Sequence, residues 1–272
     1  MVKGVYMIKI IVSDLDGTLL NSKKELPKRF PELIKALNRE GIRFVPASGR
    51  AVHTLKVQFS EYFHDIGLIC ENGNVVLDCG EMIYHATIEK KELKELLGRI
   101  EKIDELRPAL CGIHATYIMD RLPAFEAQVR RFFYNTVIVE NFEEVINQVE
   151  ICKISSIDGI NPLTNACPKL FSITDHYDLI PSGENWIDIV KKGENKGKAL
   201  QMLMANFGAK PEETMAFGDF LNDLPLMEVC EHTFAMKNAH PDLKAVAKNI
   251  TSKTNEEEGV IDTIIEVLNL KL

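Results

Sequence analysis

Ser13-Asp14-Leu15-Asp16-Gly17-Thr18-Leu19 places two carboxylates two residues apart, directly after the apolar run Ile8 to Val12. Ligand sites in open parallel sheets form just past the carboxyl ends of strands, and this segment has the composition of such a strand exit. Side chains at i and i+2 of an extended chain face the same side, so Asp14 and Asp16 would converge. Converging carboxylates repel each other, and a divalent cation would relieve that repulsion. A plainer reading remains open: Asp16-Gly17 turns the chain and Thr18 caps a helix. Three further segments carry polar groups at expected strand ends or helix starts: Pro46-Ala47-Ser48-Gly49-Arg50, Lys192-Gly193-Glu194-Asn195-Lys196-Gly197-Lys198, and Ala216-Phe217-Gly218-Asp219-Phe220-Leu221-Asn222-Asp223. Each also has a structural reading, as a Ser-Gly turn, a solvated basic helix start and an acidic helix N-terminus favoured by the dipole.

The elements that must carry these residues follow from periodicity. Ile8 to Val12 reads as a buried strand. A helix follows, with Pro27 near its start, Phe30, Leu33, Ile34 and Leu37 at i, i+3, i+4, i+7, and Gly41 at its end. Ile42 to Ala47 (strand), a helical stretch from Val52 and Ile66 to Cys70 (strand) continue the alternation that builds parallel β-α-β units. Asn72-Gly73 is a turn signal before a strand at Val75 to Leu77. After Ile83 the pattern changes: a helix with Leu93, Leu96, Leu97 and Ile100 on one face, strands at Ala115 to Met119, Val137 to Val139 and Ile151 to Ser155, helices near Phe125 to Phe132 and Pro162 to Lys169, and a short strand at Asp178 to Pro181. Around Trp186 to Val190 the β/α rhythm returns, with a helix through Leu200, Leu203, Met204 and Phe207, strands at Thr214 to Phe217 and Thr233 to Met236, and a closing helix through Ile261, Ile264, Ile265 and Leu268. The expected plan is a split α/β core, residues 1–83 and 187–272, with an α/β cap domain over 84–186.

Together the four motifs resemble, in order, those of the haloacid dehalogenase superfamily of phosphohydrolases. Glu71-Asn72-Gly73 and Ala235-Met236-Lys237-Asn238-Ala239 further resemble its Cof-type sugar-phosphatase subfamily, in which a large cap is inserted after the third strand. The resemblance implies the α/β fold class: a Rossmann-like parallel-sheet core with an inserted α+β cap domain. It implies Asp14 as nucleophile, forming an aspartyl-phosphate that splits hydrolysis into two displacements. Asp16 would serve as general acid/base, and Lys196 would hold the phosphoryl group against Asp14. Leu15, Ser48, Gly49, Lys196 and Asn222 would bind phosphate; Asp14, Asp16, Asp219 and Asp223 would hold Mg2+, a cation suited to hard carboxylate and phosphate oxygens. Arg50, Asn72 and Asn238 are candidates for substrate contact. Two positions depart from the subfamily pattern, Lys237 where Gly is expected and Phe220 where a small or polar residue is usual, and both bear on substrate preference.

The chain's 272 residues, 46% hydrophobic and 26% charged, suit a globular protein of one or two domains. A formal net charge of −8 argues against a nucleic-acid partner held through its phosphates. Six scattered cysteines without a C-x-x-C pair fit reduced thiols rather than a zinc knuckle. The apolar start is too short for a signal peptide, and no run reaches the ~18 residues of a membrane span. The expected compartment is therefore the cytoplasm, with no membrane partner. Cap cations Arg107, Arg121, Arg130, Arg131, Lys153 and Lys169 are candidates for a substrate-binding cation, though each reads first as a solvated surface residue, and His85, His114 and His176 read as surface or hydrogen-bonded structural histidines. The expected activity is Mg2+-dependent hydrolysis of a small phosphorylated metabolite. Two alternatives stand beside it: a phosphosugar mutase of the phosphomannomutase type, and a non-catalytic phospholigand-binding protein. Oligomeric state is not legible in the sequence.

Overall fold

A computed structural model of the chain describes residues 7–119, 123–181 and 185–272. From the amino terminus, β1 (Ile10–Asp14), α1 (Phe30–Arg39), β2 (Arg43–Ala47), α2 (Val52–Gln58) and β3 (Gly67–Cys70) alternate, followed by β4 (Val75–Asp78) and β5 (Glu81–His85). Next come α3 (Lys90–Ile100), β6 (Leu106–Gly112), β7 (Thr116–Ile118), α4 (Pro123–Phe132), β8 (Thr136–Ile138), α5 (Phe142–Gln148), β9 (Ile151–Asp158), α6 (Ala166–Leu170), β10 (Tyr177–Pro181) and β11 (Trp186–Lys191). The last stretch holds α7 (Lys196–Phe207), β12 (Thr214–Gly218), α8 (Leu224–Val229), β13 (His232–Ala235), α9 (Pro241–Val246), β14 (Asn249–Ile250) and α10 (Gly259–Leu268).

Two compact units result. The first gathers the described residues of Met1–Gly49, Glu61–Tyr84 and Asn195–Leu272. Its eight strands run in the order β14-β13-β12-β1-β2-β3-β4-β5. All pairings from β14 to β3 are parallel, and β4 turns back antiparallel on β3. β1 sits centrally with Ile10, Ile11 and Val12 at 0% exposure, as expected of a parallel strand covered on both faces. Its neighbours are β2, next in sequence, and β12, some two hundred residues later, so the strand order reverses beside β1. Such a switch point opens a crevice at the carboxyl ends of the strands, where Asp14 lies. The α1 stripe expected from spacing is realised: Phe30, Leu33, Ile34 and Leu37 are all buried.

The second unit, Arg50–Ser60 and His85–Glu194, is built on a sheet of order β10-β11-β9-β6-β7-β8. Its described pairings are antiparallel except for β7 with β8. Leu93, Leu96, Leu97 and Ile100 of α3 pack with Ile187, Ile189 and Ile154 in one buried cluster, while Phe125 and Val129 of α4 join a second cluster with Ala109, Cys111 and Ile157. Here the expected chain plan needs a correction. Trp186–Lys191 does not resume the α/β core; it is a strand of this second sheet, antiparallel to β9 and β10. A short apolar run marks a strand but carries no information about which edge it joins. β6 and α5 were also unread, because Pro108 interrupts the first and the second is only seven residues long.

The other face of β9 and β11 carries a polar cluster rather than solvated cations. Lys153 Nζ donates to Asp188 Oδ2 at 3.0 Å and Ser155 Oγ to Asp188 Oδ1 at 2.6 Å, with Lys153 only 2% exposed. Lys153 was expected at the surface, but alternation on a covered strand turns it inward. Lys169 and Arg130 do take local partners, Asn165 and Glu126, and His85 pairs with Glu150. Arg121 lies outside the described residues.

His53 of α2 is buried at 6% exposure between two partners: Nδ1 accepts from the Asn135 N–H, so Nε2 carries the proton and faces Thr116 Oγ1, both at 3.2 Å. Burial, helped by Lys153, lowers its pKa to about 4. A histidine whose folded pKa lies below its unfolded value of 6.5 stabilises the fold fully above that value, and the contribution is lost as pH falls through about 4. At pH 5 the protein is therefore expected to have lost about 2 kcal/mol through this group relative to pH 7. Urea titrations of the wild type and His53→Leu at both pH values measure that difference. Equal pH losses in the two proteins would count against the assignment.

Candidate active site

The strand β1 ends at Asp14, and the chain then coils tightly: Leu20 N–H bonds to the Leu15 carbonyl at 2.8 Å and Leu19 N–H to that of Asp14 at 3.2 Å. Gly17 takes φ +85°, and a β-carbon there would lie 2.3 Å from Asp219 Oδ2. Glycine is thus required twice over, for its backbone angle and for the approach of the Asp219 carboxylate. Thr18 Oγ1 donates to Asp219 Oδ1 at 3.0 Å, tying the end of β1 to the end of β12.

Lys196 is placed by the first turn of α7. Asn195 caps that helix by accepting from Lys198 N–H at 2.9 Å, and Lys196, the next residue, is 1% exposed. Its ammonium donates to Asp14 Oδ1 and to Asp223 Oδ1, each at 2.6 Å. The other Asp223 oxygen accepts from the Asp219 and Phe220 N–H groups at 3.0 and 3.2 Å, fixing the loop after β12. The turn Glu71-Asn72-Gly73 supports α7 from below. Gly73 has φ +108°, and a β-carbon on it would sit 2.3 Å from the Asn195 carbonyl. Any side chain there would push the helix start, and Lys196 with it, away from Asp14.

Asp14, Asp219 and Asp223 each offer a carboxylate oxygen, the three lying within 4.8 Å of one another. With three carboxylates (−3) and one ammonium (+1) the cluster carries −2 when fully ionised. Burial pushes the Asp14 carboxyl up to about 8, against the pull of Lys196, with Asp223 and Asp219 adding to the rise. Burial, then Asp223, raises Asp219 to about 6. Burial disfavours the Lys196 ammonium, but Asp14 and Asp223 offset that and raise its pKa above the ordinary lysine value. Such a site is short of positive charge. Closely spaced hard oxygens with a charge of −2 suit Mg2+.

The remaining motif residues lie in different surroundings. Ser48 is buried with its N–H on the Ile69 carbonyl, and its own carbonyl accepts from Asn72 N–H. Gly49 packs against the Asn72 amide, which also accepts from Asn222 Nδ2 at 3.3 Å, so the second and fourth motifs meet at Asn72. Leu15 is wholly buried. Asp16 is not brought into the carboxylate cluster. Its carboxylate pairs with Lys24 at 2.7 Å and is 40% exposed. The i, i+2 convergence expected from an extended chain fails because the strand stops at Asp14. Arg50 belongs to the second unit, where it donates to Gln58, and the Asn238 amide is taken up by the Gly17 carbonyl. Phe220 is 55% exposed, its ring edge-on to His240 at 5.6 Å. From sequence Thr18 is legible only as a helix cap, and Asn195 and Asn255 carry no assigned role, although the spacing of Asn195 before Lys198 is a cap signal.

The buried cluster of three carboxylates and one ammonium lies at a sheet switch point, and residues 11–264 match the haloacid dehalogenase-like hydrolases. The chain belongs to that family and is an enzyme of the phosphatase class. Among curated proteins it is similar to the 5-amino-6-(5-phospho-D-ribitylamino)uracil phosphatase YbjI of Escherichia coli, 27% identical over 263 residues, 96% of each chain. It is also similar to the phosphatase YwpJ of Bacillus subtilis, 28% identical over 93% of this chain and 97% of that one. Among solved structures, the HAD subclass IIB sugar phosphatase BT4131 superposes with a TM-score of 0.77 at 25% identity, covering 95% and 98% of the two chains. Among the described residues no helix is long and apolar enough to cross a membrane.

Proposed function

We propose that the chain is a Mg2+-dependent phosphatase that hydrolyses small phosphate monoesters through an aspartyl-phosphate on Asp14. The observation that carries this reading is the buried Lys196 ammonium bridging Asp14 and Asp223 at 2.6 Å each, beside Asp219. Asp14, Asp219 and Asp223 would hold Mg2+, which when bound supplies charge neutralisation at the phosphoryl oxygens. Asp14 attacks phosphorus as the bond to the leaving oxygen breaks, and Asp16 protonates that oxygen. In the second displacement Asp16 takes a proton from water, the water oxygen bonds to phosphorus, and the bond to Asp14 breaks. Asp16 must leave Lys24 to do this, and an exposed ion pair of that kind is worth no more than about 1 kcal/mol. Lys196 holds the Asp14 carboxylate in place and offsets charge as it builds on the transferring group. Ser48, Gly49 and Asn222, gathered around Asn72, line the phosphate side.

The names of the relatives direct the substrate search toward sugar phosphates and phosphorylated ribityl compounds. Phosphate release should be assayed over a panel of sugar phosphates, nucleotides and coenzyme phosphates. Turnover is expected to fall to background on chelation with EDTA and to return on adding Mg2+. Turnover that persists in EDTA would overturn the metal assignment, and steady release without a bisphosphate activator would separate the phosphatase from a mutase.

A further inference from the structure

We infer that Asn238 is a positioning residue for this reaction, a side chain that fixes the distance between the loop carrying Asp14 and the loop carrying Asp219. The inference rests on the proposed phosphatase reading. Asn238 lies in the turn after β13, and the backbone of that turn is bonded to the other acidic loop: Met236 N–H to the Gly218 carbonyl at 2.9 Å, and His240 N–H to the Asp219 carbonyl at 2.8 Å. The turn is itself immobilised, with Ala239 N–H on the Met236 carbonyl, Lys237 N–H on Thr251 Oγ1 at 3.0 Å and the Lys237 carbonyl on Lys244 Nζ at 2.6 Å. From this platform Asn238 Nδ2 donates to the Gly17 carbonyl at 2.7 Å.

The receiving peptide is the one that matters for spacing. Gly17 is the residue whose Cα faces the Asp219 carboxylate closely enough to exclude a side chain. It lies between Asp16 and Thr18, the residue that donates to Asp219. Asn238 is itself oriented from the far side: Asn255 N–H donates to Asn238 Oδ1 at 3.3 Å, and Asn255 Nδ2 donates to the Leu20 carbonyl at 2.9 Å. Two asparagines thus hold the Gly17 to Leu20 segment at both ends against the carboxy-terminal part of the unit. Both ends of the Asn238 amide are engaged, one N–H on Gly17 and the oxygen by Asn255, so the amide is held in place to act through Gly17. Asn238 is exposed, and a hydrogen bond that water can replace adds little to global stability. Its effect falls on local placement, where an error of about 1 Å can cost up to about 100-fold in rate.

Asn238→Ala and Asn238→Asp test this. The aspartate keeps an acceptor for Asn255 but turns an oxygen toward the Gly17 carbonyl. Both variants are expected to lower kcat by about tenfold with KM within about twofold of wild type, and to speed hydrogen exchange at Leu19 and Leu20 by about tenfold while exchange elsewhere and Tm hold. Unchanged kcat, a rise in KM alone, or unchanged exchange over residues 14–20 would overturn the inference. The exchange measurement needs no turnover. If the wild type releases no phosphate from any monoester, the proposed function fails while exchange still decides whether Asn238 clamps the loop.

Discussion

Asp14→Asn is expected to reduce kcat by at least about 10³-fold while leaving both units folded. The amide matches the carboxylate in shape but cannot attack phosphorus, so no aspartyl-phosphate forms. Stability moves the other way. The Asp14 carboxyl is buried and its pKa lies at about 8, far above the ordinary 3.8. An acid raised in this way stabilises the fold fully below its unfolded pKa, and that contribution disappears as pH rises through the folded value. Metal-free wild type should therefore lose stability between pH 4 and pH 8 through this group, and Asp14→Asn should not. Thermal melts in EDTA at pH 5 and pH 8 measure it, beside single-turnover phosphate release. Substantial turnover by the asparagine variant would remove Asp14 as the nucleophile.

Lys196→Met should damage both stability and rate. The ammonium is wholly buried with two carboxylates at 2.6 Å, and methionine fills similar volume without charge. Removing one partner of a buried ionic group leaves the others uncompensated, a loss of about 3–5 kcal/mol at neutral pH. Acidification should restore part of that loss, because protonation discharges Asp14 and Asp219. The rate should fall by at least about 10²-fold, since a preorganised cation at the transferring group is lost. Urea unfolding at pH 5 and pH 7.5 gives the first number and steady-state kinetics the second. A variant as stable as wild type at pH 7.5 would mean that Lys196 does not bridge these carboxylates.

Local pattern accounts for much of the architecture. The apolar runs at Ile10, Arg43, Gly67 and Thr214, and the helical stripes of α1, α3, α7 and α10, are visible because burial imposes a period on the chain. Asp14, Lys196, Asp219 and Asp223 were legible through the order of the four motifs and the family they resemble, since each motif alone also has a structural reading. β11 was not legible in its proper place, since pairing partners are chosen by sheet geometry rather than by the strand's own residues. Lys153 was misjudged as a surface cation for a related reason: its burial depends on what covers β9, and its partner Asp188 lies thirty-five residues away.

The residue types and their order along the chain determined the family, the central strand and the carboxylate and ammonium groups proposed for chemistry. Tertiary structure alone decided that Asp16 turns to Lys24, that Lys196 lies between Asp14 and Asp223, and that Asn238 holds Gly17. Periodicity and motif spacing report the burial and chemistry of single segments. Contacts across about 180 to 220 residues of sequence depend on how separate strand ends converge, which no local pattern encodes.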